Sequence, residues 1–224
     1  MTKHNTSTVS KPLYSDAGSG VIFNFSGDLI IGDEQIGEGV ILLPVNTKTQ
    51  SITLGPRARL AGVRFLPAIG YGVLGKKYDK PTLLESSEDD LFSLNELFDK
   101  LKSLSSACLL EELQYWVENQ LDFTNLLPES LVNALDYIQG EEELAQLASV
   151  TNLSQRQVER IFKLWLGITP KHYQRILRVK NAIAFLKSQP TSNLALVAQE
   201  FGFSDQAHMT REFRAIASVT PSKI

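Results

Sequence analysis

The sequence predicts an α+β chain of more than one domain. A small antiparallel β-barrel with helices comes first, and an all-α region follows, built as a double helix-turn-helix joined by a long linker helix. Three observations carry this prediction. Short β-type runs broken by Gly and Pro fill the stretch from Val21 to Leu66. A helix-turn-helix pattern then occurs twice: Leu144, Ala148, Phe162, Thr169 and Pro170 are answered by Leu194, Ala198, Phe213, Thr220 and Pro221. The offset is 50 in the first helix and 51 after the turn, so the second copy carries one extra turn residue. Finally, residues 141–224 hold 11 Lys+Arg against 7 Asp+Glu, and residues 1–140 hold 11 against 18, which together give the net charge of −3. A basic module is joined to an acidic one.

Composition narrows the function classes. The single cysteine, Cys108, excludes an internal disulfide framework and a CxxC zinc site, and fits a reducing cytoplasm. No apolar run approaches the ~20 residues of a membrane span, and the polar start, Met1 to Ser10, does not read as a signal peptide. The expected location is the cytoplasm, with no membrane partner.

Along the chain, residues 1–12 read as a disordered tail, and residues 13–122 as a sensor or dimerisation domain with its barrel over 20–75 and helices over 91–121. The expected strands are Val21–Phe25, Leu29–Ile31, Val40–Pro44, Ser51–Leu54 and Leu60–Leu66, a spacing that fits a small antiparallel barrel or sandwich. The glycines of GYGVLG (70–75) read as a turn leading into a short helix, since the strand and acidic partner of a dinucleotide site are missing. The acidic stretch Glu85–Asp90 reads as a solvated loop and helix start. Apolar residues at helical spacing mark Phe92–Leu104 and Leu109–Leu121, whose apolar faces predict a homodimer through helices 91–121. Cys108, beside Leu109 and Leu110, reads as a small buried residue. Residues 123–129 read as a linker, and 130–224 as the DNA-binding domain.

Enzyme chemistry finds no support: the histidines are His4, His172 and His208, too scattered to hold a metal with carboxylates. No catalytic residue, metal site or cofactor is expected.

In the first helix-turn-helix, about 141–166, Glu141–Ala148 is the expected first helix and Thr151–Leu153 the turn. Ser154 is suited to cap the second helix. There Val158, Ile161, Phe162 and Trp165 form an inward apolar face, leaving Arg156, Arg160 and Lys163 opposite it. Such cations can bond guanine bidentately or neutralise phosphate. A linker helix, 170–187, opens on Pro170 and spans roughly 26 Å, near the ~34 Å that separates successive major grooves. The second unit, about 194–217, turns at Phe201–Phe203, with Gly202 suited to a left-handed helix end and Ser204 or Asp205 to the next cap. Met209, Phe213 and Ile216 face inward; Ala207, Arg211 and Arg214 face outward, flanked by Gln206 and Thr210. Glu212 falls at the edge of the inward face. His208 lies to the side, as a phosphate or packing contact or a base reader. The candidate DNA contacts are Ser154, Gln155, Arg156, Glu159, Arg160, Lys163, Gln206, Ala207, His208, Thr210, Arg211 and Arg214.

These residues resemble the AraC/XylS family of bacterial transcription regulators. LAQLASVTNLSQRQVERIFKLWLGITPKHYQRILRVKNAIAFL is similar to the family's first unit plus connecting helix, and VAQEFGFSDQAHMTREFRAIASVTP to its second. The resemblance implies promoter binding in two adjacent major grooves, and most often activation through RNA polymerase. It carries base reading to Arg156, Glu159 and Arg160, and to Gln206, Ala207, Thr210 and Arg211. Two departures stand out: Ser218 where the family usually has Gly, and an end at Ile224 without the family's aromatic and arginine residues. GVIFNFSGD (20–28) and GPRARLAGVRFLPA (55–68) resemble the cupin-like sensor domain that precedes such units in one group of regulators, which implies a small-molecule or protein effector. Because the two outward faces differ, the DNA target is expected to be an asymmetric direct arrangement. The first unit is expected to supply more of the phosphate-dominated affinity.

Overall fold

A computed structural model describes residues 7–85, 92–140 and 143–224. They divide into two compact units. The first holds the chain up to Pro12, Gly18–Val45 and Ser51–Leu126; the second holds Leu13–Ala17, Asn46–Gln50 and Leu127–Ile224.

The first unit is built on two four-stranded sheets. One has the order β1 (Val9–Leu13), β6 (Gln50–Leu54), β3 (Leu29–Ile31), β4 (Glu34–Ile36); the other has the order β7 (Arg59–Phe65), β2 (Ser19–Ser26), β5 (Gly39–Leu43), β8 (Thr82–Leu83). The pairings of β2 with β5 and β7, of β3 with β4 and β6, and of β5 with β8 are antiparallel. Alternate residues of a strand point to opposite faces. Ile22 of β2 and Ile41 and Leu43 of β5 therefore meet Leu29, Ile31 and Ile36 in a core between the sheets. Val21, Phe23, Phe25, Val40 and Leu42 point the other way, into a core shared with α2 (Leu94–Lys102) and α3 (Ser106–Gln120). This two-sided burial explains the nearly continuous apolar run of β2. Its one polar interior residue, Asn24, is fully buried and donates to Gly37 O at 3.1 Å and Gly27 O at 3.3 Å. Arg59 lays its guanidinium 5.0 Å from the centre of the Phe25 ring and donates to the carbonyls of Leu101, Lys102 and Leu104, supplying donors where α2 ends.

Several expectations need correction here. The last residues of the expected tail form β1, because an edge place beside β6 gives a polar segment backbone partners; Ser10 also takes a hydrogen bond from Thr53 at 2.9 Å. Residues 1–6 lie outside the described residues. The glycines at 70 and 72 lie inside a helix, α1 (Ile69–Leu74), rather than in a turn before one. Packing explains them: a Cβ on Gly70 would collide with Ser19 Oγ, and one on Gly72 would stand 2.7 Å from Leu126 Cγ. Cys108 is exposed, as is Leu110 at 66%, because α3 buries only the line Leu109, Leu113 and Trp116. Strands β4 and β8 are too short and polar to show an alternation. The acidic stretch, apart from Glu85, lies outside the described residues.

The second unit is helical. It runs through α4 (Glu129–Gln139), a 3-10 turn (Leu144–Gln146), α5 (Leu147–Thr151), α6 (Gln155–Trp165), α7 (Pro170–Ser188), α8 (Leu194–Glu200), α9 (Gln206–Ala217) and a final 3-10 turn (Pro221–Lys223). The expected first helix is thus a 3-10 turn leading into α5, with residues 141–142 outside the described residues. Helix α7 is central: Tyr173, Ile176, Val179, Ala182, Ile183 and Leu186 are all buried. Its Tyr173 ring lies 6.0 Å from Phe162 of α6, and both are fully buried. Burial of large side chains at such positions is the main favourable term in holding short helices together.

Two stretches from the first half of the sequence belong to this helical unit. Asn46 O accepts from Ala17 N–H at 3.0 Å and Ser15 Oγ at 2.8 Å, and Asn46 Nδ2 donates to Tyr14 O at 2.8 Å. Thr49 N–H donates to Ile216 O at 2.8 Å, and the Lys187 ammonium lies 4.5 Å from the centre of the Tyr14 ring. Among the described residues, no helix is long and apolar enough to cross a membrane.

Candidate nucleic-acid interface

The two repeats share a turn down to individual hydrogen bonds. Leu153 N–H donates to Ala148 O at 3.1 Å, and Phe203 N–H to Ala198 O at 2.9 Å, both at the offset of 50. Between them Asn152 and Gly202 take left-handed backbone, φ 54° and 68°, a conformation in which helices commonly end. The caps that follow, Ser154 and Asp205, stand at the offset of 51. The extra residue is therefore Ser204.

The cap differs accordingly. Ser154 forms a capping box with Gln157: Gln157 N–H donates to Ser154 Oγ at 3.3 Å and Ser154 N–H to Gln157 Oε1 at 2.9 Å. In the second unit His208 occupies the Gln157 position. Its backbone N–H donates to Asp205 Oδ1 at 2.6 Å, while its Nδ1 accepts from Ser204 N–H at 3.1 Å. The His208 ring also meets Phe203 edge-on at 5.7 Å. The structure thus turns the Ser154 and His208 side chains into the turns, where they order the start of each second helix.

The remaining candidates lie on the outer faces. Arg156, Glu159, Arg160 and Lys163 on α6 are exposed, as are Gln206, Ala207, Arg211 and Arg214 on α9. Gln155 is exposed and donates to Glu159 Oε1 at 3.2 Å, which leaves the two arginines as the bidentate donors of α6. Lys163 Nζ donates to Gly167 O at 3.3 Å, near the end of its own helix. On α9, Gln206, Ala207, Thr210, Arg211 and Arg214 line one open hollow of about 490 Å³. Thr210 is half-buried and donates to Gln206 O at 2.9 Å. Helix α7 has 19 residues, roughly 28 Å at 1.5 Å per residue.

Two contacts that no sequence period reveals fix the second unit, at α9 and at the turn before it, to α7. Arg175 grips Glu212 through Nε at 2.7 Å and Nη2 at 3.1 Å, and Glu212 keeps only 13% of its side chain exposed. Three residues on, the Arg178 guanidinium lies 5.6 Å from the centre of the Phe203 ring. The edge position of Glu212 was a signal; its partner, 37 residues away, was not. His172, half-buried, has its pKa held below the ordinary value by burial, then by the positive charges of Arg175, Lys163 and Lys48, with Glu212 opposing. Among the described residues, no group of three or more His, Cys, Asp or Glu is placed to hold a metal.

Comparison with known proteins agrees with this geometry. Residues 147–224 match the helix-turn-helix domain family. The chain is 30% identical over 146 residues to the probable transcriptional regulator LumQ of Photobacterium leiognathi, covering 63% of this chain and 54% of that protein. It is 28% identical over 94 residues to an HTH-type transcriptional regulator of Haemophilus influenzae, covering 42% and 31%. Over 79 residues it is 33% identical to the HTH-type transcriptional regulator GbdR of Pseudomonas aeruginosa, covering 35% and 21%. The chain thus spans from about a fifth to about half of these relatives' lengths. Among solved structures, ToxT from Vibrio cholerae aligns over 96% of both chains at 13% identity and a TM-score of 0.49. Two helix-turn-helix units with matching turns, joined by one buried helix, and similarity to transcriptional regulators, lead to one conclusion: residues 147–224 form a domain of the helix-turn-helix family.

Proposed function

We propose that this chain is a sequence-specific DNA-binding transcription regulator of the cytoplasm that reads two adjacent major grooves with α6 and α9. The observation that carries the reading is the repeated turn. It presents two second helices that share an inward face and differ outside, with Arg156 and Arg160 on one and Gln206, Ala207, Arg211 and Arg214 on the other. Arginine reads guanine O6 and N7, Gln reads adenine, and a small apolar residue accommodates a thymine methyl. The target is one asymmetric site of about 20 bp, and the two units address different halves of it. From that site the chain activates transcription through RNA polymerase, as the family resemblance implies. The N-terminal unit supplies control by a small-molecule or protein effector, and self-association through α2 and α3. Leu110 and Tyr115 of α3, 66% and 61% exposed, support the self-association.

The test is a footprint of the intact chain on a site selected from random duplexes. Arg160→Ala and Arg211→Ala should each weaken binding by about 1–3 kcal/mol and relax sequence preference in different halves of the site. Identical footprints for both variants and the parent chain would refute the assignment of α6 and α9.

A further inference from the structure

At the end of the α6 face, where Lys163 stands, the helical unit gathers further basic side chains, and three separate stretches of chain supply them. His172 and Arg175 stand near the start of α7, Lys163 near the end of α6, and Lys48 on the embedded segment 46–50. Arg175 bonds Glu212 of α9, and the Lys48-bearing segment is bonded one turn further along the same helix, at Ile216; Arg175, Lys163 and Lys48 all lower the His172 pKa, and Glu212 opposes them. Glu212 is already gripped by both Arg175 nitrogens. Lys48 is exposed, yet the segment that bears it is pinned. Thr49 N–H is held by Ile216 O at 2.8 Å, Thr49 Oγ1 accepts from Ser15 N–H at 3.3 Å, and Asn46 Nδ2 holds Tyr14 O at 2.8 Å. A lysine on a fixed loop, crowded by like charge, is a ready point-charge partner for an anion.

We propose that Lys48 contacts the DNA backbone, so that segment 46–50, with Lys163 and His172 beside it, takes a phosphate lying between the two stretches read by α6 and α9. This inference rests on the DNA-binding reading above. It makes part of the DNA-contacting surface from the first half of the sequence, outside the helix-turn-helix repeats. Backbone contacts of this kind fix position without reading bases.

The experiment measures binding of the full chain to its selected duplex, and to an unrelated duplex, across a salt series. Each phosphate neutralised adds about 0.9 to the slope of log affinity against log salt. Lys48→Gln should lower that slope by about one contact and weaken both duplexes by the same severalfold factor, while Lys48→Arg keeps the parent slope. An unchanged slope and affinity in Lys48→Gln, with the parent chain binding its site normally, would overturn the proposal and leave the DNA-binding reading intact. Equal weakening by Lys48→Gln and Lys48→Arg would also overturn it, since loop shape and not charge would be at stake. Failure of the parent chain to prefer its selected duplex would sink the DNA-binding reading, and this inference with it.

Discussion

Ser218 closes α9 in the left-handed region, φ 57° and ψ 16°. Its counterpart at the end of α6 is Gly167, with φ 74°. A non-glycine residue in this conformation costs roughly 1–2 kcal/mol because its Cβ crowds the backbone. Glycine gives back about 0.5–1 kcal/mol through the freedom it loses on folding. Ser218→Gly should therefore stabilise the helical unit by about 0.5–1 kcal/mol. The converse change, Gly167→Ala, isolates the same effect, because a Cβ there meets nothing within 4 Å and so adds strain without a clash. It should cost about as much as Ser218→Gly gains. Urea unfolding followed by far-UV circular dichroism gives the free energies, and calorimetry should show shifts of roughly 1–4 °C in opposite directions. If Ser218→Gly lowers the midpoint, or if both changes leave it unmoved, the argument from left-handed backbone is wrong at this site.

Two further outcomes are expected. Arg175→Ala removes both Arg175 hydrogen bonds from the largely buried Glu212, leaving only His208 Nε2 at 3.9 Å, and should cost about 2 kcal/mol, less than the 3–5 kcal/mol of a fully buried pair because Arg175 is 35% exposed. Adding Glu212→Gln should restore part of that loss, and a strictly additive double variant would argue against the pair. His172 is held below its ordinary pKa of 6.5, so the unfolded chain takes up a proton there more readily than the folded one. Stability should be present above that ordinary value and decline as pH falls through and below it. Unfolding measured between about pH 7.5 and pH 5.5 should show a shallower decline in His172→Gln, and an identical decline would rule out His172 as the source.

Where each feature was legible follows from the range of the interaction behind it. Local periods announced the strands around Val21–Phe25 and the inward faces of α6 and α9, because alternation and the 3.6-residue repeat are written in neighbouring residues. The outward placement of Arg156, Arg160, Arg211 and Arg214 followed from the same arithmetic. The repeat even counted the extra turn residue, although only the hydrogen bonds identify it as Ser204. His208 shows the limit: its spacing left several roles open, and the Ser204 and Phe203 contacts turn its ring into the turn.

The sequence by itself determined that two helix-turn-helix units exist, which residues they bury and which cations they present. Those are properties of short windows, where side-chain period and cap chemistry act within a few residues. Tertiary structure alone decided that Arg175 holds Glu212, that Asn46–Gln50 joins the helical unit, that Cys108 is exposed and that glycines sit inside α1. Each of these depends on what residues tens of positions away bring to the same point. A chain specifies such meetings only through the packing of the whole, so no local pattern records them.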